Sequence, residues 1–215
     1  MKYRNSWQSL KDFIFFPIRA FLLFEEDKFS LSSLQTDRYY YVAREVKGRC
    51  LDVGCGRNNR FINEFLGGSG VGIDVYKYEG LTDQQIIADM TKLLFADGEF
   101  ETITLIANIN HIPRSIRIKE LKELYRILKK GGRIVLTMGN PFVEIIVHKV
   151  VWFYDKFFKT KFDVDSQRGM KVDEEYFLTE KEIRDTLYKA GFKGKFYKKR
   201  FFTQWRLNSL YCFEK

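Results

Sequence analysis

Short apolar runs alternate with longer amphipathic runs from residue 49 onward, and no other feature of the sequence constrains the fold as strongly. Each short run is apolar or β-branched and is bounded by Gly, Asp or Asn, which is typical of buried strands. The predicted strands cover residues 49–53, 71–75, 85–88, 101–106 and 133–138. Strands that alternate with helices form parallel sheets through crossover connections. The sequence therefore predicts an α/β fold with a doubly wound sheet that contains these five runs as parallel strands.

Two helices are predicted together with residues that begin or end them. Apolar residues recur at helical spacing over 116–130, and the glycine pair that follows predicts the end of that helix. Thr179 and Glu182 have the spacing of a capping box, which predicts the start of a second helix. This second helix runs to Ala190, because Gly191 stands in the position where helices commonly stop.

The carboxyl-terminal part and the two remaining segments complete the predicted organisation. The runs 195–202 and 207–213 are joined by a short turn and predict an antiparallel hairpin at one sheet edge. Lysines on the first of these runs are typical of an edge strand, an interpretation that we favour over nucleic-acid binding. Because no linker-like tract interrupts the sequence, residues 1–215 are predicted to form a single domain. Segments 1–48 and 140–178 lie outside the sheet plan and are predicted to form an N-terminal cap and a lid-like insertion.

The net charge and the cysteines indicate which partners and which cellular compartment to expect. The 37 Lys and Arg residues against 28 Asp and Glu residues give a net charge of +9, which favours anionic partners, including an anionic membrane surface. Cys50, Cys55 and Cys212 are an odd number without CxxC spacing, so neither a disulfide framework nor a metal site is predicted. Cysteines for which no disulfide is predicted fit a reducing, cytoplasmic location.

Segment 13–24 is the apolar stretch that most resembles a membrane signal. Pro17 and Arg19 interrupt it, and it is shorter than the roughly 20 residues that a spanning helix needs. Segment 143–162 combines aromatic residues with lysines. Together with the positive charge, these two segments leave a peripheral location on an anionic membrane open.

The stretch 50–59 contains a strand that runs directly into a glycine turn. Gly54 and Gly56 lack a Cβ, so a ligand can approach the backbone at the carboxyl end of the first predicted strand. Asn59 stands where a dinucleotide fingerprint has its third glycine, which weakens a nicotinamide interpretation. Asp52 would repel a pyrophosphate but attract a cationic ligand such as S-adenosylmethionine.

The segment Leu51-Asp-Val-Gly-Cys-Gly56 resembles the first motif of the class I methyltransferases, with Asn58 in place of the family's third glycine. The resemblance implies a Rossmann-like fold that binds S-adenosylmethionine. Further family features follow in order: Asp74 resembles the acidic residue that binds both ribose hydroxyls, and Asp89 and Met90 resemble the adenine-contacting segment. The cofactor residues implied by the resemblance are Asp52, Gly54, Cys55, Gly56, Asp74, Val75, Asp89, Met90 and Asn108.

His111 stands near the expected position of the transferred methyl group. It is a candidate general base for an acceptor hydroxyl, although histidine at this point also serves as a structural or orienting residue. Cys55 has no base nearby in the sequence and is interpreted as a packing residue rather than a nucleophile. The segment after the fourth strand lacks the Asn/Asp-Pro-Pro-aromatic pattern of amino-group methyltransferases, so nucleic acid is not expected as a partner.

The resemblance predicts a methyltransferase whose acceptor is a small molecule or a glycan-linked group, methylated at oxygen. Two alternatives stay open at this point. The first is a non-catalytic binding protein that retains the methyltransferase fold. The second is a peripheral membrane methyltransferase that acts on a lipid-linked acceptor, which the segment 13–24 and the positive charge favour.

Overall fold

The computed structural model describes residues 4–23, 25–140, 156–157, 173–175 and 177–215, and a six-stranded sheet lies at its centre. The strands are β1 (Cys50–Val53), β2 (Gly70–Ile73), β3 (Phe100–Ile106), β4 (Leu128–Gly139), β5 (Phe196–Arg200) and β6 (Asn208–Glu214). Their order in the sheet is β2-β1-β3-β4-β6-β5. Neighbours among β1 to β4 pair in parallel, whereas β6 is antiparallel to both β4 and β5. The predicted α/β class, with a mostly parallel sheet and an antiparallel carboxyl-terminal pair, is confirmed.

The α-helices of the described residues are α1 (Ser6–Ile14), α2 (Phe16–Leu22), α3 (Leu34–Ala43), α4 (Arg114–Ile127) and α5 (Glu180–Ala190). α4 is the crossover between β3 and β4. α5 begins at the predicted capping box: the Glu182 N–H donates to Oγ1 of Thr179 at 3.3 Å, and the Thr179 N–H donates to Oε2 of Glu182 at 2.7 Å. Gly191, with φ of +115°, ends this helix as predicted.

The predicted end of the helix over 116–130 is wrong, because β4 begins at Leu128. Leu128 already pairs with Phe100 of β3, and the register then shifts before Arg133 pairs with Thr102. Gly131 lies in this irregular stretch with φ of +76°, a conformation that favours glycine. The glycine pair therefore lies in an irregular part of the strand, where the register shifts, and not at the end of a helix.

Residues 85–88 do not form the predicted parallel strand. Ile86 makes an isolated parallel bridge with Asp74, which is held by two backbone hydrogen bonds. The Asp74 N–H donates to the Gln85 carbonyl at 2.9 Å, and the Ile87 N–H donates to the Asp74 carbonyl at 2.8 Å. Ala88 and the residue after it are exposed, so no apolar layer covers a longer strand there.

Both faces of the sheet are covered, which explains why the strands are apolar on both sides. On one face, α4 and α5 contribute buried residues such as Leu124 and Leu187. On the other face, α3 and the short helical segment Phe61–Phe65 pack with Cys50 and Cys212 of the sheet. A ligand therefore has access to the sheet mainly at the ends of its strands.

A buried ionic network joins α1, α2 and α3 to the connection between β5 and β6. Nη2 of Arg19 donates to Oδ2 of Asp37 at 2.9 Å, and Nε of Arg19 lies 3.8 Å from Oδ1 of Asp12. Arg4 forms ion pairs with both carboxylates. The Thr203 hydroxyl donates to Asp37 at 2.8 Å. The network thereby fixes the amino-terminal helices to the carboxyl-terminal part of the sheet, an arrangement that sequence reasoning did not predict.

Asp37→Ala is expected to destabilise the protein strongly. The substitution leaves the Arg19 guanidinium buried without its main carboxylate partner, which typically costs about 3 to 5 kcal/mol. Urea unfolding of both proteins measures the difference in the free energy of unfolding. Asp83→Ala is the matched control, because it removes an exposed ion pair with Lys77 and should cost less than about 1 kcal/mol. Equal losses for the two variants would contradict this account of the network.

Candidate active site

A cavity of about 1150 Å³ opens where β1, β2 and β3 end. It is lined by residues that directly follow these strands: Gly54 after β1, Asp74 after β2, and Ala107 and Asn108 after β3. The cavity thus occupies the edge at which open parallel sheets bind their ligands. All ten predicted site residues line it, namely Asp52, Gly54, Cys55, Gly56, Asp74, Val75, Asp89, Met90, Asn108 and His111.

The glycine turn after β1 has the geometry that close approach of a ligand requires. Gly54 and Gly56 have φ of +76° and +63°. A Cβ on Gly54 would lie 2.3 Å from Nδ2 of Asn108, and this nitrogen donates to the Val53 carbonyl at 2.8 Å. Asn58 adopts a left-handed conformation, with φ of 58°, at the position of the family's third glycine. The turn therefore keeps its shape with asparagine at that position.

Asp74 ties the loop after β2 to the glycine turn. The Gly56 N–H donates to its Oδ2 at 3.0 Å, and the Tyr76 N–H donates to its Oδ1 at 3.0 Å. The side chain is buried and borders the cavity. Because each carboxylate oxygen can accept more than one hydrogen bond, both oxygens retain the capacity to accept a bond from a ligand.

Asp52 is the most deeply buried carboxyl group of the site, with 2% of the residue exposed. The Thr104 hydroxyl donates to its Oδ1 at 2.6 Å. Burial raises the pKa of Asp52 to about 7, and the charge of Asp74 acts in the same direction. A cation bound in the cavity would favour the ionised form of Asp52, so this carboxyl group can respond to the charge of a ligand.

The remaining predicted cofactor residues differ in exposure. Met90 is buried, whereas Asp89 is exposed. Oδ1 of Asp89 accepts a hydrogen bond from the Thr91 N–H at 2.9 Å. Val75 is also exposed. Cys55 is buried, and its burial raises the pKa of the thiol far above the ordinary value. Such a thiol is almost entirely protonated near neutral pH, which supports the interpretation of Cys55 as a packing residue.

His111 lies beside Glu174, a residue that sequence reasoning missed. Nδ1 of His111 is 3.5 Å from Oε2 of Glu174, whose side chain is only 4% exposed. Nε2 of His111 is 3.3 Å from Nδ2 of Asn110. No motif surrounds Glu174, and its contact with His111 joins residues that are far apart in the sequence. The predicted insertion over 140–178, including 143–162, otherwise lies largely outside the described residues.

Sequence reasoning also missed the individual residues that the amino-terminal segment contributes to the cavity. The acidic run at 25–27 was visible in the sequence, but no motif connected it with the glycine turn. Tyr39 is buried between the cavity and Phe65, against which its ring packs edge-on at 5.1 Å. The residues that line the cavity from this segment are Glu25, Glu26, Asp27, Gln35, Arg38 and Tyr39.

Comparison with known proteins identifies the family. Residues 28–194 match the family model described as a methyltransferase domain, which is more than half of the chain. The chain belongs to this methyltransferase family. Membership of this family agrees with the resemblance of the glycine turn, and the cofactor that it implies is S-adenosylmethionine.

Several curated proteins are similar to this methyltransferase over part of their length. The "Ubiquinone/menaquinone biosynthesis C-methyltransferase UbiE" of Geotalea daltonii is 29% identical, over 54% of this chain and 51% of that protein. The "Demethylmenaquinone methyltransferase" of Bacteroides fragilis is 40% identical, over 31% of this chain and 27% of that protein. The chain thus spans about half or less of the length of these relatives.

Solved structures show the same fold. A methyltransferase from Thermotoga maritima, described as a possible histamine N-methyltransferase, has a TM-score of 0.61 and 19% identity, with 97% of this chain and 99% of that chain covered. A methyltransferase from Archaeoglobus fulgidus has a TM-score of 0.55 and 13% identity, with 83% of this chain and 90% of that chain covered. At these identities the similarity establishes the fold alone.

The residues of the cavity fit the cofactor of the family. The open space at Gly56, where a Cβ would meet no atom within 4 Å, admits a ligand against the backbone. Carboxyl groups of Asp52 and Asp74 border the same space, which suits a ligand that carries an ammonium group, a sulfonium group and ribose hydroxyls. When bound, S-adenosylmethionine supplies the electrophilic methyl group.

Asp52→Asn is expected to stabilise the unliganded protein at high pH. The pKa of Asp52 is raised from 3.8 to about 7 in the folded state, so folding costs stability wherever the unfolded carboxyl group is ionised. This cost is absent below about pH 4, grows as the pH rises to about 7, and then stays constant at an order of 4 kcal/mol. Asparagine keeps an acceptor for Thr104 without a charge.

Urea unfolding of the wild type and the Asp52→Asn variant at about pH 4 and about pH 8 measures the effect. The variant should match the wild type at the lower pH and exceed it at the higher pH. A gain of the same size at both values would show that the charge of Asp52 is not the cause.

Proposed function

We propose that this methyltransferase methylates a small-molecule acceptor with an ionisable hydroxyl group, with His111 as the base. The proximity of His111 and Glu174 in the cavity that contains the glycine turn carries this proposal. We further propose that Asp74 binds the ribose hydroxyls, that Asp52 lies near the cationic end of the cofactor, and that Asp89 and Met90 hold the adenine.

The contacts of His111 support a base with a defined tautomer. Nδ2 of an asparagine amide is a donor, so its contact with Nε2 of His111 at 3.3 Å favours a lone pair on that nitrogen. The proton then lies on Nδ1, which faces the carboxylate of Glu174. Nε2 has a single lone pair, so the acceptor hydroxyl would take the place of the Asn110 amide before it gives its proton to Nε2. Glu174 would stabilise the imidazolium that then forms.

The acceptor class follows from the chemistry of a deprotonated hydroxyl and from the lining of the cavity. A phenolate is nucleophilic at oxygen and also at the ring carbons conjugated with it. Apolar residues that line the cavity together with His111 suit an aromatic ring; they include Ile106, Ile112, Pro113 and Ile116. The names of the relatives refer to C-methylation and to quinones, so they favour a ring carbon over oxygen and give no support to a glycan-linked acceptor.

A second acceptor class, an amine, is favoured by the charge of the cavity. Its lining contains ten carboxyl side chains: Glu25, Glu26, Asp27, Asp52, Glu64, Asp74, Glu79, Asp89, Glu120 and Glu174. The cationic side chains that line it are Arg38, Arg57 and Arg60, besides His111. A protonated amine would be attracted by this excess of carboxylates. Phenols, hydroquinones and amines therefore form the panel of acceptors on which the function is tested.

Asp74→Ala is expected to weaken cofactor binding by at least about 100-fold, because two hydrogen bonds to a charged acceptor are lost at about 1.5 to 3 kcal/mol each. Isothermal titration with S-adenosylhomocysteine measures the affinity, and Asp97→Ala, an exposed carboxylate outside the cavity, is the matched control. Since Asp74 also holds the glycine turn, the titration is repeated with the 2′-deoxy analogue of the ligand. The wild type should discriminate between the two ligands and the variant should not. Equal discrimination by both proteins would contradict the ribose role.

His111→Ala is expected to lower kcat by about 100-fold or more while the affinity for the cofactor stays nearly unchanged. Formation of S-adenosylhomocysteine with the panel of acceptors measures turnover. The loss should be smaller for phenols with more acidic hydroxyls, because an acceptor that is already ionised needs no base. Glu174→Gln should lower kcat less than His111→Ala does.

Two results would overturn parts of this proposal. If the protein methylated amines but no hydroxyl compound, the acceptor would be an amine rather than a hydroxyl compound. The assignment of the cofactor would not change. A loss in His111→Ala that is the same for weakly and strongly acidic phenols would show that His111 positions the acceptor rather than accepting its proton.

A further inference from the structure

The two amino-terminal helices bury Asp12 and Arg19 and expose most of their large apolar side chains. Asp12 and Arg19 are 0% exposed and face the protein. The opposite side of α1 and α2 carries large apolar side chains that are 42% to 69% exposed: Trp7, Leu10, Ile14, Phe15, Ile18, Phe21 and Leu22. Their spacing of three or four residues places them along one side of the helices. An apolar surface of this extent is typical of a site of interaction.

The connection between β5 and β6 extends this surface. Phe202 and Trp205 are each about half exposed, at 49% and 47%. The Phe202 ring stacks on Phe13 with ring centres 4.4 Å apart, and Nε1 of Trp205 donates to the Phe13 carbonyl at 2.8 Å. We call the exposed apolar residues of α1 and α2, together with Phe202 and Trp205, the N-terminal apolar face.

A tight turn beside α1 presents one more aromatic residue to solvent. Phe29 is 83% exposed, and both Phe29 and Ser30 have φ of 56°, which is unfavourable for residues other than glycine. The turn is closed by the Leu31 N–H, which donates to the Lys28 carbonyl at 2.9 Å. Nε2 of Gln8 donates to the Ser30 carbonyl at 3.1 Å, which attaches the turn to α1. A strained turn that exposes an aromatic ring is difficult to explain by stability alone.

The exposed charged residues of α1, α2 and segment 199–206 are basic. Asp12 is the acidic residue within α1 and α2, and it is buried in the ionic network. The basic residues of the helices and of segment 199–206 that remain at least partly exposed are Lys11, Lys199, Arg200 and Arg206, of which Lys199 forms an ion pair with Glu45. Among the described residues, neither Arg200 nor Arg206 forms an ion pair with an acidic side chain. Exposed acidic residues begin after α2, at Glu25 and Glu26, which line the cavity.

We propose that the N-terminal apolar face binds the surface of an anionic lipid bilayer. Apolar and aromatic side chains would enter the boundary between headgroups and acyl chains, while the basic residues would lie near lipid phosphates. A second copy of the chain would bring like charges together, which disfavours a dimer through this face. α1 and α2 have 9 and 7 residues, and no helix within the described ranges is long and apolar enough to cross a membrane. The face would therefore lie on the bilayer.

Cosedimentation of the full chain with lipid vesicles tests the proposal. The protein should bind vesicles that contain phosphatidylglycerol more strongly than vesicles of phosphatidylcholine alone, and binding should fall as salt is added. The double substitution Phe21→Ser and Leu22→Ser should lower the partition coefficient by at least about tenfold. Leu94→Ser is the matched control, because Leu94 is fully exposed outside the face and should leave binding unchanged.

A second measurement covers the case in which the double variant fails to fold. In a Trp152→Phe background, Trp7 and Trp205 are the remaining tryptophans, and both belong to the face. Their emission should shift to shorter wavelength when anionic vesicles are added, and brominated lipids should quench it. Absence of vesicle binding at low salt would overturn the proposal, and so would a dimer in solution that the double substitution dissociates without any lipid binding. Neither readout depends on the acceptor or on methyl transfer.

Discussion

The carboxylate of Asp74 joins the two loops on which the cofactor site depends. It accepts hydrogen bonds from the backbone N–H groups of Gly56 and Tyr76, so a charged side chain fixes the glycine turn to the loop after β2. The Gly54 and Cys55 N–H groups donate to the Ile73 carbonyl at 2.8 and 3.1 Å, which attaches the same turn to the end of β2. Hydrogen bonds to charged groups are among the stronger ones in proteins. The shape of the glycine turn is therefore set by hydrogen bonds to the end of β2 and to the loop that follows it.

Charge is distributed unevenly between the cavity and the rest of the protein. The chain as a whole carries +9, yet the cavity is lined mainly by carboxyl groups. In physical terms, such separation favours a cationic ligand in the cavity and anionic molecules at the outer surface. The pKa of Asp52 is raised mainly because the carboxyl group is buried, and the charge of Asp74 adds to the effect.

In the amino-terminal helices, the attraction between buried charges is balanced against the cost of removing them from water. Two arginines and two aspartates are buried between these helices and the connection from β5 to β6. Buried ion pairs of this kind contribute little net stability, because desolvation offsets their attraction. Their geometry is directional, however, and it fixes how the helices lie on the sheet. As a consequence, residues 25–39 reach the cavity and the apolar side of α1 and α2 faces outward.

Patterns that act over short distances were sufficient for much of the fold and for the glycine turn at the cavity. The glycine turn, the capping box at Thr179 and the apolar strands depend on neighbouring residues, so their signal is contained in short segments. Residues 85–88 and 128–132 were misread, because strand length and register depend on what covers and pairs with a strand. The partnership of His111 with Glu174, the cavity lining from residues 25–39 and the burial of Arg19 required the folded chain. Each depends on contacts between distant segments, and no local propensity encodes which side chains meet there.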